Sequence, residues 1–164
     1  SREEETDVWP LARDDLRANV HRQVTASIRA GATCRLGGEL PAGPGFFYPV
    51  TFLTEVTPAM SVFREETFGP VAVLIRAEDA EQAVALANDT PYGLAASVWT
   101  GRERGEQIAR RIEAGQVAVN GLVKTDPRLP SGGIKRSGYG RELGPHGILE
   151  FVNAQQVWVG PARG

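Results

Sequence analysis

The pattern that most constrains the fold is an alternation of strand-like and helix-like segments between residues 16 and 120. In the first helical segment, Leu16, Val20, Val24 and Ile28 recur every four residues, which places them along one face of a helix. Residues 71–75 (VAVLI) form an uninterrupted apolar run, as expected for a strand that is covered on both faces. Strands that alternate with helices are typical of layered α/β domains. The sequence therefore predicts an α/β fold with a largely parallel sheet flanked by helices.

The other elements follow from apolar spacing and from the glycines and prolines that interrupt it. The first helix is predicted to begin near Asp14 or Asp15, because carboxylates favour the positive end of the helix dipole, and to end at Gly31. Predicted strands lie at residues 33–36, 49–56, 96–100 and 116–119, further helices at 78–88 and 103–114, and short helices or turns near 58–62 and 147–152.

The pattern changes after Asn120. Residues 121–141 combine glycine, proline and basic residues without helical or strand periodicity, and a connection of this length is usually disordered or functional. The last predicted strand, residues 155–159, begins at Gln155 and places Val157 and Val159 on one face. Little sequence follows that could pair with it. We therefore expect this strand to pair with another chain.

Composition argues against several kinds of partner and site. With 164 residues, 41% of them hydrophobic, the chain is expected to form one core and one domain. The 18 basic and 20 acidic residues give a net charge of -2, which favours neither nucleic acid nor an anionic membrane as a partner. No apolar run is long enough to cross a bilayer, and the polar, acidic first residues are unlike a secretory signal. One cysteine excludes an internal disulfide and, with only two histidines, argues against a metal site. The expected location is the reducing cytoplasm.

The most distinctive local sequence is EETFGP at residues 65–70. Gly69 permits backbone angles that other residues avoid, and Pro70 fixes the chain as it enters the next strand. Such a turn would aim the side chains of Glu66 and Phe68 in a defined direction. Two interpretations stay open from the residues alone. The carboxylates are solvated at a strand entry, or Glu66 binds ligand hydroxyls while Phe68 packs against a flat ring.

A second group of polar residues follows the strand predicted at 116–119. Asn120 lies where that strand ends, which is the usual place for ligand contacts in α/β sheets. Lys124, Thr125, Asp126 and Arg128 follow within the same loop. These side chains could hold a small carboxylate, or they could be solvated, and loops carry function disproportionately often.

No residue is a convincing nucleophile or general base. Cys34 lies in a predicted strand without a neighbouring activating group, so a small buried residue is the preferred interpretation. His21 and His146 are expected at the surface. The glycine-rich residues 132–140 match neither GxxxxGK followed by Ser or Thr nor GxGxxG. Tight turns against other backbone are therefore the preferred interpretation of these glycines.

Taken together, these segments resemble the C-terminal portion of the aldehyde dehydrogenase superfamily. EETFGP at 65–70 resembles the family's EExFGP motif. Further similar stretches are NDTPYGL at 88–94, VNG at 119–121 and PSGGIKRSGYGRE at 130–142, and the matches keep their order from about residue 7 to residue 159. Within the superfamily, DPRLP at 126–130 is similar to the bacterial succinate-semialdehyde dehydrogenase branch.

The resemblance implies an enzyme that oxidises an aldehyde, such as succinic semialdehyde, to the acid with NAD or NADP. By matching position, Glu66 would bind hydroxyls of the nicotinamide ribose, and Phe68 would pack beside the nicotinamide. The loop at 122–131 would line the substrate entrance. The substrate-pocket residues predicted on this basis are Asn120, Lys124, Thr125, Asp126 and Ser131. Ser131 stands where the family commonly has an aromatic residue, so the pocket is expected to be roomier or less apolar. A separate departure from the family pattern is Trp9, which stands where the family has glycine.

The same resemblance places the family's nucleophilic cysteine, its water-activating glutamate and its main dinucleotide-binding domain N-terminal to the matched region. The chain is therefore expected to hold no catalytic residue, and by itself to be inactive and to bind no cofactor. Residues 1–152 would be a partial catalytic domain, and residues 153–164 an oligomerisation strand and tail that join the chain into a homo-oligomer. The alternative is a non-catalytic oligomerisation or interaction module that retains the fold.

Overall fold

The computed structural model describes residues 7–161, which form five helices and seven short strands. In chain order the elements are α1 (Asp14–Arg29), β1 (Thr33–Leu36), β2 (Thr51–Thr54), α2 (Ser61–Arg64), β3 (Val71–Val73), α3 (Ala80–Asn88), β4 (Tyr92–Gly93), β5 (Ala95–Val98), α4 (Arg102–Ala109), β6 (Gln116–Val119), β7 (Ile134–Lys135) and α5 (Gly144–Leu149). The chain divides into two compact units, Ser1–Leu86 and Ala87–Gly164.

The first unit combines α1 with a three-stranded sheet in the order β1-β2-β3. β1 pairs with β2 in antiparallel fashion, and β2 pairs with β3 in parallel. Leu53 on the central strand is fully buried and belongs to one core cluster with Val20 and Val24 of α1. The sheet and α1 therefore share the apolar core of this unit.

The buried face of α1 is more polar than its apolar spacing predicts. The two valines are buried as expected, but Gln23 and Ser27 are also buried, at 1% and 0% exposure, whereas Ile28 is 37% exposed. With 3.6 residues per turn, positions 20, 23, 24 and 27 share one face of a helix. The Ser27 hydroxyl accepts a hydrogen bond from the backbone N–H of Val62 at 3.2 Å. The polar part of this face therefore binds the segment around α2.

The second unit is built around two parallel strands, β5 and β6, against which α4 packs. α4 approaches β6 closely because Gly105 has no side chain, and a Cβ there would lie 2.5 Å from Cγ1 of Val119. β4 and β7 form a two-residue antiparallel pair. The long segment between β6 and α5 has little regular structure beyond β7, as its composition predicts.

The predicted α/β class, with helices that flank small sheets, is confirmed. β1 and β6 have the predicted bounds, whereas β2, β3 and α4 are shorter than predicted. The expectation that residues 71–75 are covered on both faces is wrong, since Ala72 is exposed and Leu74 is 57% exposed. In the part of the chain that the structure describes, no helix has the length and apolar character needed to cross a membrane.

The structure has no strand at residues 155–159, where a final strand is predicted. Val157, Trp158 and Val159 are 75%, 79% and 86% exposed, and no described strand of the same chain pairs with them. A strand is defined by hydrogen bonds to a partner, and the partner predicted here is another chain. The assignment of these residues to an oligomer interface, and the boundary at residue 152, stay predictions.

Candidate functional site

Residues 65–70 form the turn between α2 and β3. The Gly69 N–H donates to the Thr67 carbonyl oxygen at 2.8 Å, and the Val71 N–H donates to the Gly69 carbonyl oxygen at 2.8 Å. Gly69 does not have a positive φ, so the expectation that it supplies unusual backbone angles is wrong. A Cβ at this position would instead lie 2.9 Å from Cγ2 of Val20. Glycine is needed because the turn packs directly on α1.

Glu65 holds the turn to α1 by an ion pair. The Arg22 guanidinium binds the Glu65 carboxylate at 2.5 Å, and both side chains are about half exposed. The hydrogen bond from Arg22 is the main cause that keeps the pKa of Glu65 below its ordinary value. Of the two adjacent glutamates, Glu65 is therefore engaged within the protein.

Glu66 and Phe68 project from this held backbone. The Glu66 backbone carbonyl accepts a hydrogen bond from Nε2 of Gln23 at 3.1 Å, while its carboxylate receives none from the residues that the structure describes. Phe68 is 61% exposed, which is unusual for an aromatic ring beside a core strand. A free carboxylate and an open aromatic face on a fixed turn are suited to a ligand that has hydroxyls and a flat ring.

Gln23 is a contributor that the sequence did not reveal, because it occupies a helix position next to the apolar stripe. Its Nε2 donates both to Oε2 of Glu65 at 3.2 Å and to the Glu66 carbonyl oxygen. Both partners can only accept, so the amide must present its NH₂ group to them. Its Oε1 is then left buried without a hydrogen-bond partner among the described residues. Such an unpaired acceptor costs about 1 to 3 kcal/mol.

Asn120, the first of the predicted substrate-pocket residues, has a structural task in the second unit. Its φ is 54°, and its side chain bonds twice to the backbone of Thr100. Oδ1 accepts from the Thr100 N–H at 2.9 Å, and Nδ2 donates to the Thr100 carbonyl oxygen at 2.7 Å. The amide thus ties the chain after β6 to the chain after β5, and Asn120 does not line the neighbouring cavity.

The other four predicted pocket residues line one cavity of about 640 Å³. They are Lys124, Thr125, Asp126 and Ser131. Leu122 and Leu129, which are 72% and 61% exposed, contribute apolar walls, and β6 closes one side. The cavity therefore combines an apolar surface with a few polar groups, which is typical of small-molecule sites.

The charges at this cavity are not equivalent. Asp126 binds the Arg128 guanidinium in a bidentate manner, at 2.9 Å to Nε and 2.6 Å to an Nη atom, and also accepts from the Arg128 backbone N–H at 2.9 Å. These bonds lower the pKa of Asp126 and raise that of Arg128. Lys124 is exposed and has no ion-pair partner within residues 7–161. Lys124 is thus the free cation that lines this cavity.

Within the glycine-rich residues, Gly132 and Gly133 pack against backbone, as the preferred interpretation has it, whereas a Cβ at Gly138 would meet nothing within 4 Å and one at Gly140 would face the Glu150 side chain. A Cβ at Gly115 would overlap the carbonyl oxygen of Gly132, and one at Gly133 would lie 2.7 Å from Cβ of Ser137. Ser131 is bonded through its backbone to Glu142, with N–O distances of 2.7 and 2.8 Å. These contacts hold Ser131 at the wall of the cavity.

Lys135 joins two of the recognised sequence segments in a network that spacing alone does not indicate. Its Nζ donates to the carbonyl oxygens of Asn88 and Thr90, at 2.8 and 3.2 Å, and pairs with Glu113 at 2.6 Å. The Asn88 side chain in turn accepts from the Glu113 N–H and donates to the Arg111 carbonyl oxygen. The network is structural and lies apart from the lining of the cavity.

Cys34 and the two histidines have no catalytic arrangement. The Cys34 thiol is half-buried and donates to the carbonyl oxygens of Leu36 and Gly37. His21, expected at the surface, is half-buried and lies 3.4 Å from the Tyr48 hydroxyl, and His146 is exposed. Among the described residues, no group of three or more His, Cys, Asp or Glu side chains could hold a metal ion.

Comparison with known proteins identifies the family to which this chain belongs. Residues 1–157 match the model of the Aldehyde dehydrogenase family. The chain belongs to the aldehyde dehydrogenase family. The probable succinate-semialdehyde dehydrogenase (NADP(+)) of Synechocystis sp. is 54% identical over 155 residues, which is 94% of this chain and 34% of that protein. The succinate semialdehyde dehydrogenase (NAD(P)+) of Escherichia coli is 49% identical over 158 residues, 96% of this chain and 34% of that protein.

Solved structures of the family agree with this assignment. The succinic semialdehyde dehydrogenase from Streptococcus pyogenes, in complex with NADP+, superposes with a TM-score of 0.89 at 34% identity, over 97% of this chain and 35% of that one. The predicted resemblance to the family and to its bacterial succinate-semialdehyde dehydrogenases is confirmed. The chain spans about a third of the length of these relatives.

Proposed function

We propose that this chain is part of an NAD(P)-dependent aldehyde dehydrogenase that oxidises succinic semialdehyde, or a similar short aldehyde with a carboxylate, to the acid. The observation that carries the proposal is the 54% identity, over 94% of the chain, to a protein named as a probable succinate-semialdehyde dehydrogenase (NADP(+)). Two chemical features support it: the free carboxylate and open aromatic ring at residues 65–70, and the cavity that Lys124 lines.

The cofactor would be NAD or NADP, which accepts a hydride when bound. In this proposal the Glu66 carboxylate accepts hydrogen bonds from the ribose hydroxyls on the nicotinamide side, and Phe68 packs beside the nicotinamide ring. Both side chains are exposed on a turn whose backbone α1 holds at Glu66, so the backbone there needs little further ordering when the cofactor binds. Preorganisation of this kind favours binding without further change in the turn.

The substrate would bind in the cavity of the second unit. Lys124 attracts the carboxylate of the aldehyde, and Thr125 and Ser131 offer hydroxyl groups to it. Asp126 acts indirectly, because its carboxylate is bound to Arg128. Asn120 supports the loop through Thr100.

The nucleophilic cysteine and the water-activating glutamate are proposed to come from another part of the enzyme. Cys34 is unsuited to the first task, since its thiol is bonded to two backbone carbonyls and not to a base. The chain by itself is then inactive and binds no cofactor. In the complete cytoplasmic enzyme, residues 155–159 would pair with a second copy and join a homo-oligomer. The exposed apolar side chains of this segment support that assignment.

Turnover of succinic semialdehyde with NAD+ or NADP+ tests the proposal. The enzyme that contains this chain is expected to form NAD(P)H, whereas the 164 residues alone are expected to give no rate above buffer. Glu66→Gln is expected to raise the KM for the cofactor and to leave that for the aldehyde within about two-fold. A complete enzyme with no turnover would favour the alternative of a non-catalytic interaction module.

A further inference from the structure

The side chain of Gln23 forms the link between α1 and the backbone of Glu66. It is 1% exposed, and its Nε2 lies 3.1 Å from the Glu66 carbonyl oxygen and 3.2 Å from a carboxylate oxygen of Glu65. One donor group therefore fixes two consecutive residues of the turn, the second of which is the residue proposed to meet the cofactor.

The way in which Gln23 is buried is costly for the fold. Its Oε1 is buried without a hydrogen-bond partner in the described part of the chain. Reversing the amide would not help, because it would place an oxygen against two acceptors. An apolar side chain of similar size would fill the same space without an unpaired group. Packing alone therefore does not account for a glutamine at this position.

We infer that Gln23 is a positioning residue, whose hydrogen bond to the Glu66 carbonyl oxygen sets the direction in which the Glu66 carboxylate meets a nicotinamide cofactor. The inference rests on the function proposed above. This bond opposes rotation of the Glu66 backbone, and the close packing of Gly69 on Val20 holds the end of the same turn. The ion pair of Glu65 with Arg22 reinforces the same attachment from the surface.

The test is the affinity of the complete enzyme for NAD+ and NADP+, measured by titration with each nucleotide. Gln23→Met keeps the volume and removes both hydrogen bonds. The dissociation constant for the preferred nucleotide is expected to rise about five- to ten-fold, because a displaced Glu66 carboxylate would lose about one hydrogen bond to the nucleotide, with the KM for the aldehyde within about two-fold. Ser27→Ala is the matched control. It removes a fully buried hydrogen bond one turn along the same helix, to Val62 outside the turn, and it is expected to leave nucleotide affinity unchanged.

A double-mutant cycle separates positioning from loss of stability. In a Glu66→Gln background, Gln23→Met is expected to weaken nucleotide binding by less than about two-fold further, because the group that it positions is already altered. Equal effects of Gln23→Met in both backgrounds would overturn the inference, as would equal effects of Gln23→Met and Ser27→Ala.

Two outcomes keep the inference distinct from the proposed function. If Glu66→Gln leaves nucleotide affinity unchanged, the assignment of Glu66 to the cofactor fails, and the inference fails with it. If Glu66→Gln weakens binding but Gln23→Met does not, only the inference fails. Should Gln23→Met not fold, Gln23→Asn replaces it. This variant keeps the amide but withdraws it by about 1.5 Å, beyond hydrogen-bond reach of Glu66, and the same rise is expected.

Discussion

The side chain of Val20 occupies the space that a Cβ on Gly69 would need, with Cγ2 of Val20 only 2.9 Å from that position. Val20 is fully buried and cannot move aside without disturbing the core of the first unit. The turn proposed to bind the cofactor is therefore part of the packing of α1.

Gly69→Ala is expected to destabilise the protein by about 1 to 3 kcal/mol, because the added methyl group overpacks a filled core. Denaturant unfolding of the chain measures this change. Gly121→Ala is the control, since nothing lies within 4 Å of a Cβ there and its effect should stay below about 0.5 kcal/mol. Equal stability of the two variants would contradict the packing role of Gly69.

Lys135→Met is expected to cost about 1 to 3 kcal/mol of stability in the second unit. It leaves the carbonyl oxygens of Asn88 and Thr90 without their donor and Glu113 without its partner. The control is Arg102→Met, which breaks the ion pair between Arg102 and Glu106. The Arg102 side chain is 90% exposed, and an ion pair of this kind contributes about 0.5 kcal/mol or less. Similar unfolding midpoints for both variants would show that the Lys135 network adds little.

The raised pKa of Tyr48 leads us to expect a loss of stability at high pH. Burial raises its pKa to about 12, from an ordinary value of 10.0. A group with a raised pKa in the folded state stabilises it fully below the unfolded pKa, and this contribution is lost as the pH rises through the folded pKa. The free energy of unfolding should therefore fall by about 2 kcal/mol between pH 10 and pH 12. In Tyr48→Phe this part of the decline should disappear. An unchanged profile in that variant would assign the decline to other groups.

Lys124→Met tests whether Lys124 binds the carboxylate of the proposed substrate. The KM of the complete enzyme for succinic semialdehyde should rise about ten-fold, whereas the KM for butanal, which has no carboxylate, should change by less than about two-fold. Arg104→Met removes an exposed cation on α4 and should alter neither value. A parallel rise for both aldehydes would argue that Lys124 shapes the loop and does not recognise an anion.

Val157→Asp tests the proposed oligomer contact. A charge on an apolar strand that pairs with a second copy should reduce the assembled state of the complete enzyme, as measured by analytical ultracentrifugation. Val157→Thr keeps the β-branched shape and should preserve assembly. If the aspartate variant sediments like the wild type, residues 155–159 are not the contact.

The sequence predicted the α/β class, most elements and the resemblance to the family, because these depend on local spacing and on recognisable motifs. The roles of the two groups of candidate residues stay predictions. The sequence did not predict that the side chain of Asn120 is hydrogen-bonded to Thr100 or that Asp126 forms an ion pair with Arg128. Hydrogen bonds of loop residues depend on where the tertiary fold places the loops. The sequence also did not predict why residue 69 is a glycine. The residue that leaves no room for a Cβ there is Val20, which is 49 positions away, and turn preferences describe only neighbouring residues.

The buried polar face of α1 has a similar explanation. Apolar spacing every four residues favoured Leu16 and Ile28, although Gln23 and Ser27 are the residues that α1 buries beside its valines. A buried polar side chain is retained only where a specific partner exists. Those partners, Glu66 and Val62, belong to a segment that the helix sequence alone does not identify.

The most direct test of the central claim is a crystal structure of the complete enzyme, containing this chain, with NADP+ or NAD+ bound. The account predicts the Glu66 carboxylate at about 2.5 to 2.7 Å from hydroxyls of the nicotinamide ribose, with Phe68 beside the nicotinamide ring. A structure in which other side chains hold those hydroxyls, and Glu66 faces solvent, would contradict it.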